Sequence, residues 1–160
     1  MTNNEDLDII STIVSGTRIA VVTTRSAGGE LHSRPLAVLD KEFEGTLWFF
    51  TKDPSPKTAD VASDPQVNVA LNDGKSYLSL AGTASVEKDQ ARIDELWNPM
   101  VEAWFDEGRE DPTIALLRVD ATSAEYWSVD KPGFVRAFEV AKALVTRTTP
   151  DFGENKTVSL

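Results

Sequence analysis

The residues best placed to do chemistry are four polar side chains between positions 34 and 57. Arg34 lies in a β-rich segment, Thr51 ends the next one, and Ser55 and Lys57 stand at the start of a predicted short helix. A helix N-terminus offers unpaired N–H groups and a positive dipole end, hydroxyls add donors, and Lys and Arg add charge. This spacing suits a phosphate monoester. An ordinary helix cap with exposed bases is the alternative, and spacing alone does not decide between them.

The composition excludes most other kinds of site. The 160 residues include no Cys and one His, His32. Thiol nucleophiles, Cys-based zinc sites and iron–sulfur clusters are therefore excluded, as is a pair of catalytic histidines. His32 stands beside Ser33 without a G-x-S-x-G elbow, which favours a structural or merely exposed histidine over a catalytic one. Neither nucleotide-binding fingerprint, G-x-G-x-x-G or G-x-x-x-x-G-K-[ST], occurs.

The charge is strongly acidic but uneven. Sixteen Lys and Arg against 26 Asp and Glu give a net charge of −10, which argues against nucleic-acid or anionic-membrane partners. No apolar run approaches the roughly 18–20 residues of a membrane span, and the acidic N-terminus is unlike a secretory signal, so we expect a cytoplasmic protein. Residues 18–57 nevertheless carry a net charge of +1, and this segment contains Arg34 and Lys57.

The hydrophobic patterns predict a mainly β protein with peripheral helices. The predicted elements are a helix at 4–15, a hairpin at 18–39, a strand at 43–51, a short helix opened by 53–57, strands at 67–71 and 77–86, a helical insertion at 88–105 split by Pro99, a pair of strands at 113–120 and 124–127, and a helix at 134–146. We expect one domain over 1–147 and a flexible tail over 148–160. Strands arranged as hairpins, without strand–helix–strand alternation, favour an antiparallel barrel.

Several short motifs follow one another in a characteristic order between about residues 9 and 129. An Arg-Pro-Leu strand at 34–36 precedes Phe-Phe-Thr at 49–51 and the Thr-x-x-x-Ser-x-Lys pattern at 51–57; Gly-Thr-Ala at 82–84 and Glu-Tyr-Trp at 125–127 follow. Together they resemble the FMN-binding split barrel of the pyridoxamine 5′-phosphate oxidases, and in particular its general stress protein 26 branch.

The resemblance implies a six-stranded antiparallel Greek-key split barrel that forms a homodimer, with two FMN sites at the subunit interface. It implies that Arg34, Ser55 and Lys57 bind the FMN phosphate with Thr51 beside them. Backbone groups around Pro35-Leu36 and Phe49-Phe50 would line the isoalloxazine edge. Trp127 resembles a tryptophan that reaches FMN from the partner subunit; a core or interface tryptophan is the alternative.

Two departures from the oxidase pattern bear on the activity. Pro56 stands where the oxidases carry an arginine between the serine and the lysine, and no histidine follows His32. Pyridoxamine phosphate oxidation itself is therefore not expected. The resemblance implies an FMN-binding general stress protein that acts as a flavin-dependent oxidoreductase with a small-molecule donor and acceptor. The alternatives are a non-catalytic carrier of FMN or FAD, and a reductase that uses the deazaflavin F420.

Overall fold

The computed structural model describes residues 3–39, 42–128, 141–142, 144–146 and 154–160. The helices are α1 (Asn4–Gly16), α2 (Pro56–Ser63), α3 (Gln90–Leu96) and α4 (Pro99–Glu102), and the strands are β1 (Ile19–Arg25), β2 (Leu31–Ala37), β3 (Thr46–Lys52), β4 (Gln66–Asn72), β5 (Tyr77–Glu87), β6 (Ile114–Ser128) and β7 (Glu154–Ser159). Residues 141–142 and 144–146 are helical. The remainder of the helix predicted at 134–146 lies outside the described residues.

The strands form one antiparallel sheet in the order β2-β1-β4-β5-β6-β3, with β7 also paired to β6. One edge of β6 is shared, since β3 pairs with its first half and β7 with its second half. β2 and β3 end the path and touch each other without being sheet neighbours. The predicted mainly β, antiparallel split barrel is confirmed.

The interior follows from the period of the apolar residues. In α1, Ile10, Ile13 and Val14 recur at helical spacing and are buried, and the Asn3 side chain caps the helix by accepting from the Glu5 N–H. In β4, Val67, Val69 and Leu71 alternate with more exposed residues. These two rows pack into the main core, in which fully burying each aliphatic side chain stabilises the fold by about 1.5–3 kcal/mol.

The two strands predicted at 113–120 and 124–127 are one continuous strand, so that prediction was wrong. Residues 121–123 contain no Gly or Pro to break the strand, and β5 pairs with Ala121 and Ser123 across this stretch. On the other edge, the Ala121 N–H donates to the Gly45 carbonyl and the Thr122 carbonyl accepts from the Leu160 N–H. The pairing with β5 shifts register at Ala81/Gly82. A Cβ at Gly82 would lie 2.2 Å from the Asp120 carbonyl oxygen, so only glycine allows this close approach.

The C-terminal residues also differ from the prediction. Residues 154–159, expected in the flexible tail over 148–160, form β7 along β6. Val158 is buried in the main core, and Lys156 pairs with Asp6 of α1. These contacts are long-range, so the polar local sequence did not reveal them. Residues 148–153 lie outside the described part of the chain.

The helical insertion is confirmed, including its division at Pro99. α4 begins at Pro99, which needs no hydrogen-bond partner in a first helical turn, and Asn98 caps it. The insertion buries Ile93, Val101 and Phe105 against β6 in a second apolar cluster beside β3. In the described residues, no helix is both long and apolar enough to cross a membrane.

Candidate functional site

The start of α2 is closed by a capping box that leaves two donors available. The Thr58 N–H donates to Ser55 Oγ at 3.3 Å, and the Ser55 N–H donates to Thr58 Oγ1 at 2.9 Å. Pro56 in the first turn has no N–H. Within the described residues the Lys57 N–H has no acceptor. The Ser55 hydroxyl lies 3.3 Å from Thr58 Oγ1, which is long for an O–H···O bond. This hydroxyl and the Lys57 N–H are therefore available to donate hydrogen bonds to a ligand.

Lys57 places a partly buried ammonium beside β3. Its Nζ donates to Thr51 Oγ1 at 3.0 Å, and Thr51 is the buried polar end of the inward row that contains Leu47 and Phe49. No carboxylate of the described chain forms an ion pair with Lys57. Burial lowers the pKa of Lys57, and the charge of Arg34 lowers it further.

Arg34 approaches the same point from β2. Its Nη1 donates to Thr24 Oγ1 at 2.6 Å, and its Nη2 lies 3.5 Å from Asp60 Oδ2, a long contact for an ion pair. A guanidinium has five N–H donors, so most of them remain for another acceptor. The cluster contains two cations, Arg34 and Lys57, and one carboxylate, Asp60. Its net charge is therefore +1 when His32 is neutral.

Asp60 and Thr24 belong to this cluster, and the sequence reading missed both. Asp60 Oδ2 accepts from Thr24 Oγ1 at 2.7 Å and lies 3.4 Å from His32 Nδ1. The Thr24 hydrogen bond, followed by the interactions with His32 and Arg34, lowers the pKa of Asp60 although burial opposes this. A signal was present, because both residues are polar at inward positions: Thr24 continues the buried row of β1, and Asp60 lies on the buried face of α2.

The segments at 35–36 and 49–50, which were predicted to line the isoalloxazine ring with backbone groups, have side chains that either pack inside the protein or lie exposed. Phe49 is buried in the main core, and Phe50 packs edge-on against Trp97 with ring centroids 5.6 Å apart. Pro35 is exposed and Leu36 half-buried. Both segments belong to β2 and β3, whose outer edges pair with no strand of the described chain. Their backbone groups therefore remain available, as the prediction requires.

Trp127 is not brought to the cluster. Thr51 lies opposite Ala115 near the start of β6, whereas Trp127 lies near its end, between Tyr77 of β5 and Asn155 of β7. A strand of 15 residues spans up to roughly 50 Å. Trp127 is 38% exposed. Within one chain, Trp127 therefore lies at the end of β6 opposite to the one beside Thr51.

The fold and this cluster define a class of split-barrel proteins, and the chain belongs to the pyridoxamine 5′-phosphate oxidase-like family, whose sequence model matches residues 5–151. The protein bli-3 of Neurospora crassa is 30% identical over 155 residues, which cover 89% of this chain and 74% of bli-3.

Solved structures carry the same fold. A crystal structure from Jannaschia sp. CCS1, assigned to general stress protein 26, has a TM-score of 0.76 at 25% identity and covers 99% of this chain and 100% of that one. The general stress FMN/FAD binding protein of Xanthomonas citri has a TM-score of 0.71 at 28% identity, covering 81% and 93% of the two chains.

Proposed function

We propose that this chain binds FMN and holds its phosphate at the start of α2. The observation that carries the proposal is the ammonium of Lys57, which is partly buried, bonded to the Thr51 hydroxyl and beside a second cation, Arg34. Such an arrangement is unfavourable alone, because both burial and the neighbouring charge disfavour the ammonium form. A phosphate would offset both effects.

The donors of the cluster fit a phosphate group. Lys57 supplies a charged donor, Arg34 a planar set of N–H groups, and Ser55 a hydroxyl. The amide of Lys57 adds a backbone donor at the positive end of α2. Pro56 removes one arginine relative to the oxidase pattern, so these groups would hold the phosphate without it. Relatedness to an FMN/FAD binding protein supports a flavin as the carrier of that phosphate.

A homodimer would complete the site. One outer face of the sheet carries apolar residues on neighbouring strands: Val21 lies across from Pro35 and Ala70, and Tyr77 lies across from Trp127. All five are exposed in the single chain, Val21 by 42% and Tyr77 by 59%. Burial of this face against a second copy would remove apolar surface from water and allow Trp127 of one chain to approach the flavin of the other.

Bound FMN would supply hydride or electron transfer, and the residues of the chain would hold and orient it. We propose that the protein is a flavin-dependent oxidoreductase with a small-molecule donor and acceptor. Reduction of the bound flavin by NADH or NADPH under anaerobic conditions, followed by reoxidation by an acceptor, would support this. A flavin that stays oxidised with every donor would identify a carrier instead.

The cofactor is tested first on the protein as purified. Released cofactor identified by mass spectrometry should be FMN at about one molecule per chain; FAD or F420 would correct the cofactor, and a colourless protein that ignores added FMN would contradict the proposal. Lys57→Ala should weaken FMN binding by about 1–3 kcal/mol, or roughly five- to 150-fold in Kd. Lys75→Ala, an exposed turn lysine, is the matched control and should leave Kd unchanged.

The dimer is tested by light scattering. The native protein should have twice the 17.5 kDa mass of the chain. Val21→Glu places a charge in the apolar face and should produce monomers that bind FMN poorly. Trp104→Glu changes an apolar residue that is 75% exposed elsewhere and should leave the dimer intact. A native monomer at micromolar concentration would contradict a site shared between subunits.

A further inference from the structure

The structure contains a polar relay behind Arg34, formed by Thr24 and Asp60. Arg34 Nη1 donates to Thr24 Oγ1 at 2.6 Å, and Thr24 Oγ1 donates to Asp60 Oδ2 at 2.7 Å. Because the single hydroxyl proton of Thr24 is directed to Asp60, the lone pairs of its oxygen are left for Arg34. The direct Arg34–Asp60 contact, at 3.5 Å, is much weaker.

The relay can fix the orientation of the Arg34 guanidinium because its two groups are buried and held in place. Thr24 is 1% exposed and Asp60 7%, so neither group exchanges freely with water. Three elements contribute, namely β1, β2 and α2, and α2 also carries Ser55 and Lys57. A hydrogen bond of fixed direction to Nη1 sets the plane of the guanidinium, and with it the direction of its remaining N–H donors.

We infer that Thr24 and Asp60 are positioning residues that hold the Arg34 guanidinium toward the phosphate of the bound flavin, so that they set the affinity for the phosphorylated form. This inference rests on the proposed function. His32 also approaches Asp60, with its Nδ1 3.4 Å from the same carboxylate oxygen. This contact is longer than the Thr24 hydrogen bond and does not replace it.

The relay can be broken without changing any charge. Thr24→Val has nearly the same shape as threonine and removes only the hydroxyl, whereas Thr24→Ser keeps it. Thr24→Val should weaken FMN binding by about five- to tenfold, which is within the range of the net contribution of one hydrogen bond. Thr24→Ser should restore binding to within about twofold. Thr46→Val is the matched control. It removes a hydroxyl that donates to Asp120 Oδ1 at 2.8 Å, in a part of the sheet outside the cluster.

Two further measurements separate positioning from a purely structural role. Riboflavin, which has the ring without the phosphate, should bind Thr24→Val and the native protein equally. In an Arg34→Met background, Thr24→Val should change the FMN Kd by less than about twofold, because the residue that the relay positions is gone. The unfolding midpoint of each variant without flavin verifies that it is folded.

The outcomes are distinct from those of the proposed function. If the native protein binds no FMN, or Lys57→Ala leaves its Kd unchanged, the phosphate site itself fails. If native binding and the Lys57 effect are present but Thr24→Val binds FMN normally, the relay has no positioning role. Equal losses with and without Arg34, equal losses for riboflavin and FMN, or a Thr24→Ser variant as weak as Thr24→Val would also overturn the inference.

Discussion

Asp6 and Asp60 are both buried carboxylates near cations, and the two sites differ in how completely they are paired. Asp6 of α1 accepts from Lys156 Nζ at 2.8 and 2.9 Å and from the Tyr126 hydroxyl at 3.0 Å. Asp60 of α2 lies 3.5 Å from Arg34, with a second cation, Lys57, nearby. The first site is a closed pair with its donors at optimal distance.

This difference separates a cluster whose charges are balanced within the chain from one that leaves a positive charge and several donors unpaired. At Asp6 the charge is balanced inside the chain, and the contact connects the first helix to the last described strand. Around Asp60 and Lys57 one positive charge is left over, and donors remain on Arg34, Ser55 and Lys57. An excess of positive charge with unused donors is what an anion site requires, whereas it would be a defect in a purely structural cluster.

The largest expected effect concerns stabilisation by ligand. FMN at a hundredfold excess over its Kd should raise the free energy of unfolding of the native protein by about 2.7 kcal/mol. Lys57→Met keeps the length of the side chain but not its charge, and should lose about 1–2.4 kcal/mol of this gain at the same FMN concentration. Denaturant unfolding with and without FMN measures both. A full gain in Lys57→Met would mean that the two clusters do not differ in the way described.

At the closed site the expected effect is on stability alone. Tyr126→Phe removes one hydrogen bond from buried Asp6 and should lower the free energy of unfolding by about 1–1.5 kcal/mol. The FMN Kd, measured by titration of flavin fluorescence, should stay within about twofold of the native value. A large loss of FMN affinity in this variant would show that the Asp6 site is coupled to the ligand.

A smaller effect should appear in the acid limb of stability. The Lys156 hydrogen bond is the main cause that lowers the pKa of Asp6 below 3.8. A lowered native pKa means that this contribution is complete above pH 3.8 and is lost as the pH falls through the native pKa. The difference in free energy of unfolding between the native protein and Asp6→Asn should therefore be constant near pH 6 and should shrink as the pH falls below 4. Asp8→Asn, on the exposed face of the same helix, should show less of a gap at pH 6.

The smallest expected effect is a gain. Without flavin, Lys57→Met should be more stable than the native protein by about 0.5 kcal/mol, since it removes a partly buried cation that solvent only partly screens. Lys75→Met, exposed in a turn, should be neutral. Thermal unfolding of the flavin-free proteins compares them. A loss of stability in Lys57→Met would indicate that Lys57 has a structural role like that of Lys156.

Most of the fold could be predicted because its signals are local. The helix predicted at 4–15, the strand predicted at 67–71 and the division of the insertion at Pro99 all follow from a few neighbouring residues. Arg34, Thr51, Ser55 and Lys57 were predicted from their types and order to form an anion site. The structure joins Lys57 to Thr51 and joins Arg34 to Asp60 of the helix that carries Lys57, and their role in binding stays a prediction. The continuity of β6 and the strand at 154–159 were missed, since both depend on partners distant in sequence.

The sequence by itself determined the kinds of chemistry available: no thiol, a single histidine, and a few bases at the spacing of an anion site in a chain of net charge −10. Only the tertiary structure decided which carboxylate balances which cation. Asp6 and Asp60 are both aspartates in helices, and the sequence alone does not distinguish them. Their partners, Lys156 and Arg34, come from other elements of the chain. Electrostatic energy depends on distances in space, and the folded sheet sets these distances, so a closed pair and an open site became distinguishable only there.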